Sequence, residues 1–307
     1  MKYLKIVILI LLITGLYAQD SRFDEDYKYF GRKEVMTMGT VFSTLGTSSF
    51  MTNPANIALV TDNRISTGFC ASDVGQGFYL AWVAPNFSIS NADQRNPANS
   101  DANEDFKKKV IQFNFGFSTA DFGLTSDQYF IAAGINLKRQ TDLIYDANDA
   151  KIAGGPAIAY DLGILVKWRV LVLEAALLDI NTPEFGDARD TYEQGYLFGA
   201  RYENENGLKI GLQGLSGDRY MGTDLGLNIG VEQGFFERRL VSRLQLTSYY
   251  NGFDAMMQNV SASIGYRFSS KGRMFRPLKD LELNYALSLL TRPNQIGTHM
   301  VVFTKYF

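Results

Sequence analysis

The chain has one cysteine, Cys70, and one histidine, His299. A single thiol makes no internal disulfide, so a fold stapled by cross-links is excluded. Zinc centres draw on several Cys or His ligands, and this pair is too small a supply. No sign of charge dominates: 30 basic residues face 32 acidic ones. The clustered positive excess of a nucleic-acid binder is missing, and no nucleic-acid partner is expected. Long hydrophobic runs are also scarce. Past the first residues the longest candidate is Val170–Leu178, which contains Glu174 and falls well short of the roughly 20 apolar residues of a membrane-crossing helix. Proline is rare, at 7 residues, against 28 Gly, 22 Phe and 17 Tyr. Many glycines and aromatics with few cysteines suit a long antiparallel barrel better than a small secreted domain.

The first residues read as an address. Lys2 and Lys5 precede the apolar run Ile6–Leu12, and Tyr17-Ala18-Gln19 offers a cleavage point after Ala18. That is the layout of a secretory signal peptide over residues 1–18. With no Cys at the junction, a lipid-anchored form is not expected. An exported chain without further apolar helices is either soluble or a closed barrel, because only helices and closed barrels satisfy their backbone groups in lipid.

Beyond Asn63 the text alternates. Ile111, Phe113, Phe115 and Phe117 interleave with Gln112, Asn114, Gly116 and Ser118; Ile158, Tyr160, Leu162, Ile164 and Val166 interleave with Ala159, Asp161, Gly163, Leu165 and Lys167. Similar runs surround Ile131, Leu225, Val260 and Leu281. A period of two means strand. A soluble β-sandwich alternates in the same way, so periodicity alone does not decide. Three features favour a barrel: the apolar face recurs in nearly every strand, aromatics such as Tyr250, Tyr266 and Phe268 stand at run ends, and the other face carries Asn, Gln, Ser, Arg and Glu. Segments 64–71, 76–84, 86–90 with 109–118, 127–138, 140–146, 154–167, 169–178, 191–203, 207–216, 222–233, 237–250, 257–269, 278–290 and 296–307 give about 14 strands, an even number. Asn91–Lys109 and Asn181–Asp190 read as surface loops, with Glu104–Lys109 a solvated charge run.

The organisation expected is a signal peptide over 1–18, an N-terminal plug segment over 19–62 and a transmembrane antiparallel β-barrel over 63–307. Within the plug, Asn53 can cap a short helix, Pro54 suits its first position and Ala55–Leu59 can continue it. At the other end Val301, Phe303 and Phe307 share one face, with Lys305 near the rim. A terminal aromatic strand of this kind resembles the signal by which the barrel-insertion machinery recognises its substrates.

Candidate chemistry is thin, and no catalytic residue, cofactor or metal is expected. His299 with Ser288 or Ser263 lacks the paired motif of a triad. Asp187-Ala188-Arg189-Asp190 lacks the spaced oxygens of a calcium loop. Gly214–Gly217 has no Lys-Ser or Lys-Thr partner for a phosphate loop. Inward Arg243, Arg267, Glu232 and Glu282 can pair across a lumen.

Two stretches carry a family resemblance. Gly39–Leu59, a small-residue segment leading into Asn53-Pro54-Ala55, resembles the start of FadL-like barrels. Leu281–Ser288, with its Tyr285-Ala286 pair, and Ile296–Phe303, with Gly297-Thr298-His299, look like the two closing strands of the PorV/PorQ branch. Asn56 stands where FadL-type transporters usually place Gly, and the preface is short. The resemblance implies an outer-membrane barrel of roughly 14 strands with N-terminal residues tucked inside. It implies a role in protein secretion or surface attachment, of the type IX kind. The alternative is transport of hydrophobic, fatty-acid-like molecules. The partners implied are outer-membrane lipid, the insertion machinery, and either secretion components and cargo or a hydrophobic ligand.

Overall fold

Alternation builds a wall here, and the wall closes. In the computed structural model the described residues are 53–72, 75–96, 104–124, 129–146, 151–183, 194–204, 206–218, 223–236, 239–251, 254–268, 280–290 and 298–307. They form β1 (Arg64–Ser72), β2 (Gly75–Ala84), β3 (Phe87–Asn96), β4 (Glu104–Ser118), β5 (Tyr129–Asp146), β6 (Lys151–Trp168), β7 (Leu171–Leu178), β8 (Gly195–Glu203), β9 (Leu208–Asp218), β10 (Thr223–Phe235), β11 (Leu240–Asn251), β12 (Asp254–Arg267), β13 (Leu281–Leu290) and β14 (Thr298–Tyr306). Each strand pairs with its sequence neighbours, and β1 pairs antiparallel with β14, so the sheet is a closed barrel. The expected signal peptide, and the plug segment up to residue 52, lie outside the described residues.

Closure fixes which face is which. On β6, Ile164 is 58% exposed while Asp161 is 1% exposed. The apolar set points outward and the polar set fills the interior, the inverse of a soluble sandwich. On β5 the outward run from Tyr129 through Ile131, Ile135 and Leu137 ends at exposed Arg139, a span close to the roughly 9–11 residues of a tilted membrane strand. One rim holds both Asn63 and the chain's last residue: the Phe307 N–H donates to the Asn63 carbonyl at 2.9 Å. Trp82, Phe117, Phe122, Tyr129, Trp168, Tyr202, Phe235 and Tyr266 are exposed around this closing rim, where a barrel places its aromatic girdle. Among the described residues no helix is long and apolar enough to cross a membrane.

The strand number agrees with the sequence reading, but two assignments within it are corrected. Residues 91–96 and 104–109, read as one loop, are the far ends of β3 and β4, paired Asp93↔Lys109 and Arg95↔Lys107. The segments 127–138 and 140–146 read as two strands; their described residues belong to the single strand β5, Tyr129–Asp146. Both misreadings have one cause. Strand ends that rise beyond the lipid band have no apolar face, so Asn, Lys and Asp there look like loop. One missing strand and one extra strand cancelled.

Pro156 shows how the tall strands are finished. On the β7 side, β6 pairs only over Leu162–Trp168. Higher up, the Asn181 side chain takes the place of a strand: its Nδ2 donates to the Ile158 carbonyl at 2.7 Å and its Oδ1 accepts from the Tyr160 N–H at 3.1 Å. Pro156 has the same parity as Ile158 and Tyr160, so its missing N–H falls on this edge, where no ladder bond is lost. A proline at an edge also blocks pairing with another chain.

At the closing rim, Asn86 stands at a positive φ of 64° in the β2–β3 turn. Its Nδ2 donates to Asp121 Oδ1 at 2.9 Å, and the Ser118 N–H donates to Asp121 Oδ2 at 2.6 Å. The Asn86 hydrogen bond first, and those from Ser118 next, hold the Asp121 carboxyl below its ordinary value. A depressed folded value means the contribution is present above the usual carboxylate range and lost as pH falls through the folded value. Asp121→Asn should therefore lower hydrogen-exchange protection at Ser118 near neutral pH. The wild type should approach the variant's protection as the solution is acidified. Equal protection in both at neutral pH would remove the role assigned to the charge.

Phe307 exposes 73% of its surface beside the closing seam. Phe307→Asp should leave less heat-modifiable barrel in the membrane fraction, since the last strand both closes the sheet edge and presents the aromatic terminus. Unchanged yield and unchanged gel shift would show that assembly does not read this residue.

Candidate functional site

Three glycines prepare the inner wall. Gly116 on β4, Gly134 on β5 and Gly163 on β6 lie directly opposite one another. All three occupy lumen-facing positions, so they leave a stripe without Cβ atoms across three strands. The segment Asn53–Leu59 lies on it. A Cβ on Gly134 would strike the Pro54 carbonyl, one on Gly163 the Asn53 Oδ1, and one on Gly116 the Ile57 side chain.

Local chemistry explains why the segment turns there. Asn53 is extended, and its Oδ1 accepts from the Ala55 N–H at 3.0 Å, capping a 3-10 helix over Pro54–Leu59. Pro54 occupies the first turn, where its absent N–H has no helical partner to lose. Asn53, Pro54, Ala55, Asn56 and Ile57 are buried. Ala55 packs with Ala132, Leu165 and Val172 against the wall, and Ile57 with Ala81 and Val83.

The segment is fastened by a carboxylate. Glu174 on β7 is buried and faces the lumen. Its Oε2 accepts from Asn56 Nδ2 at 2.9 Å and from Asn53 Nδ2 at 3.5 Å, and its Oε1 accepts from Gln213 Nε2 at 3.2 Å. Asn53 Nδ2 also reaches the carbonyls of Ile164 at 3.2 Å and Ala175 at 3.4 Å. Gly199 on β8 makes room for the Glu174 side chain. Among the described residues no basic group pairs with Glu174, so amides alone satisfy it. Ionisable groups at membrane depth are rare and face the interior or a functional path.

The opposite wall is built differently. Glu232 Oε2 accepts from Arg243 at 2.7 Å, Arg243 Nη1 donates to Asn284 at 3.2 Å, Asn284 Nδ2 donates to Glu282 at 2.7 Å, and the Tyr306 hydroxyl donates to Glu282 at 2.7 Å. This chain ties β10, β11, β13 and β14. Arg267, grouped with these residues from the sequence, instead lies at the closing rim, 3.9 Å over the Tyr306 ring and 3.5 Å from Asp280.

The other sequence candidates disperse. His299 lies on the outward face, its Nδ1 2.6 Å from the Tyr285 hydroxyl, while Ser263 is buried on the lumen face, so the two stand on opposite sides of the sheet. Asp187–Asp190 fall outside the described residues. Gly214–Gly217 lie within β9, and Glu104–Lys109 within β4 rather than in a solvated loop. Val301 and Phe303 alternate with buried Met300, Val302, Thr304 and Tyr306 on the outward face of β14, and Phe307 follows directly after the strand. Sequence reasoning missed Glu174, noted only as a break in an apolar run, and the glycine stripe. The repeated Phe-Gly-Phe, Ala-Gly-Ile and Leu-Gly-Ile around Gly116, Gly134 and Gly163 was the available signal.

A closed 14-strand antiparallel sheet, apolar outside and polar inside, defines a transmembrane β-barrel of the outer-membrane kind. No protein-family model matches the chain, and no curated protein matches it by sequence. Among solved structures it is similar to the toluene transporter TbuX of Ralstonia pickettii, with TM-score 0.55, 10% identity, and 86% of this chain and 94% of that one covered. It is also similar to the toluene transporter TodX of Pseudomonas putida, with TM-score 0.51, 10% identity, and 84% and 92% covered. A deletion mutant of the monoaromatic hydrocarbon channel TodX gives TM-score 0.55 at 11% identity over 86% and 95%. The chain thus shares the barrel fold of these structures.

The latch is open to direct measurement. Asn53→Leu should cost about 1 kcal/mol or more of local stability through the lost cap. Glu174→Ala should cost about 1–3 kcal/mol by stranding buried amide donors. In both, amide exchange at Ala55 and Asn56 should quicken while the β-sheet amides and the gel shift stay unchanged. Unaltered exchange at those two residues would show that the segment is held by something else.

Proposed function

We propose that this barrel carries small hydrophobic molecules across the outer membrane, with Asn53–Leu59 as the gate in its lumen. The observation that supports this reading is the latch itself: a short buried segment held on a glycine stripe by amide–carboxylate bonds, with apolar wall on either side. Ala176, Leu178 and Leu197 cluster toward the far rim, and Ala132, Leu165 and Val172 toward the closing rim. A ligand entering from the far rim meets the first cluster, and release of Asn53 and Asn56 from Glu174 exposes the second. The fold neighbours described as toluene transporters and a monoaromatic hydrocarbon channel support the same class of cargo.

The second reading is a PorV/PorQ-like role in protein secretion or surface attachment. Its support is the closing pair Tyr285-Ala286 and Gly297-Thr298-His299, with Asn56 in place of the usual Gly. The long strands β5 and β6, which continue past Arg139 beyond the apolar band, offer such a partner a surface.

Radiolabelled toluene uptake into cells of a strain lacking the gene separates the two. Cells supplied with the wild-type protein should take up toluene several-fold faster than cells without it. Leu178→Asp should reduce the rate and Gly163→Val should change it, each at unchanged protein level. Uptake equal to that of the protein-free strain, together with loss of surface-attached proteins on deletion, would replace the transport reading with the secretion one.

A further inference from the structure

A second cluster of charge lies on the lumen wall, apart from the latch. Lys138 Nζ on β5 is 2.7 Å from Asp161 Oδ1 on β6 and 2.6 Å from Asp179 Oδ1 at the end of β7. All three residues are buried. Two carboxylates face one ammonium, so the cluster carries a formal charge of one unit negative. The surrounding donors reach three of the four carboxylate oxygens. Asp161 Oδ1 takes the Asp179 N–H at 2.9 Å, and Asp161 Oδ2 takes Asn136 Nδ2 at 3.1 Å. Both side-chain bonds to Asp179, from Lys138 and from Gln140 Nε2 at 3.4 Å, land on Oδ1. Among the described residues nothing donates to Asp179 Oδ2.

Beside it stands an orphan. Gln140 is 3% exposed, its amide nitrogen is turned onto Asp179, and its Oε1 has no donor. On the other flank, Asn136 Oδ1 is likewise buried without a donor. Buried acceptors left unpaired are rare and call for an explanation.

We propose that Asp179 Oδ2 and Gln140 Oε1 form a lumenal binding site for a small monovalent cation, an alkali ion or a primary ammonium. A proton on Asp179 cancels the charge but leaves the Gln140 oxygen unsatisfied. A water molecule supplies donors but no charge. A monovalent cation supplies both needs through oxygen ligands. The Lys138 ammonium alongside opposes the double charge of a divalent ion. The site is independent of the latch at Glu174 and of what the barrel carries.

Thallium(I), which scatters anomalously and substitutes for potassium, is the probe. Crystals of the detergent-purified full chain soaked in thallium(I) acetate should show an anomalous peak within coordination distance of Asp179 Oδ2 and Gln140 Oε1. The peak should be weakened at least several-fold by excess potassium or methylammonium and be absent in Asp179→Asn. Stronger displacement by potassium identifies an inorganic ion as the occupant, and stronger displacement by methylammonium an amine-bearing one. No peak at this place in the wild type, or one that persists undiminished in Asp179→Asn, overturns the proposal. Should that variant fail to give a heat-modifiable barrel, Gln140→Leu, which keeps every charge, is read by the same peak.

Discussion

Hydrocarbon offers backbone groups no water, and this single constraint orders the molecule. Every N–H and C=O at membrane depth must find a partner in the sheet, so β1 must meet β14. Once the ring is closed, the apolar half of each strand has only lipid to face. The polar half has only itself. The interior therefore carries the burden that water carries elsewhere, and its side chains pair into networks because a lone buried polar group is expensive. Where the ladder stops short, at the β6 edge above Leu162, an asparagine side chain and a proline complete the accounting.

The two halves of the lumen meet that burden differently. Around Arg243 and Glu282, opposite charges and a tyrosine hydroxyl bind strand to strand, and these bonds belong to the wall alone. Around Glu174, the bonds run between the wall and a separate segment, and neutral amides supply the donors. Removing one partner of a buried ion pair is severely costly, whereas amide–carboxylate bonds can be exchanged for bonds to water at a smaller penalty. The first wall behaves as frame. The second fastens a segment that the proposed transport would release.

Much of the frame was legible from residues alone. Period-two patterning located β4, β6, β10 and β12 because their apolar faces are long enough to register. Closure itself was inferred from the apolar face recurring in nearly every strand, the aromatics at run ends and the polar second face, rather than from any one local signal. The ends of β3, β4 and β5 were lost because polar strand outside lipid has no pattern. Within the site, the Asn53 cap and the Pro54 start could be read, since both are local. Glu174 could not, because its meaning depends on residues more than a hundred positions away. Lys138, Asp161 and Asp179 lie closer together in the chain, up to 41 positions apart, yet each is unremarkable in its own stretch.

The glycine stripe has a consequence for assembly. A slip of two residues between β5 and β6 would keep every side chain on its proper face and every ladder bond satisfied, so lipid and sheet alike would accept it. It would, however, carry Gly134 and Gly163 out of line and set side chains beneath Asn53 and Pro54. Only the correct shear lets the segment bed down. Its docking therefore acts as a gauge inserted after the fact, which distinguishes the true ring from near-degenerate copies that the membrane cannot tell apart.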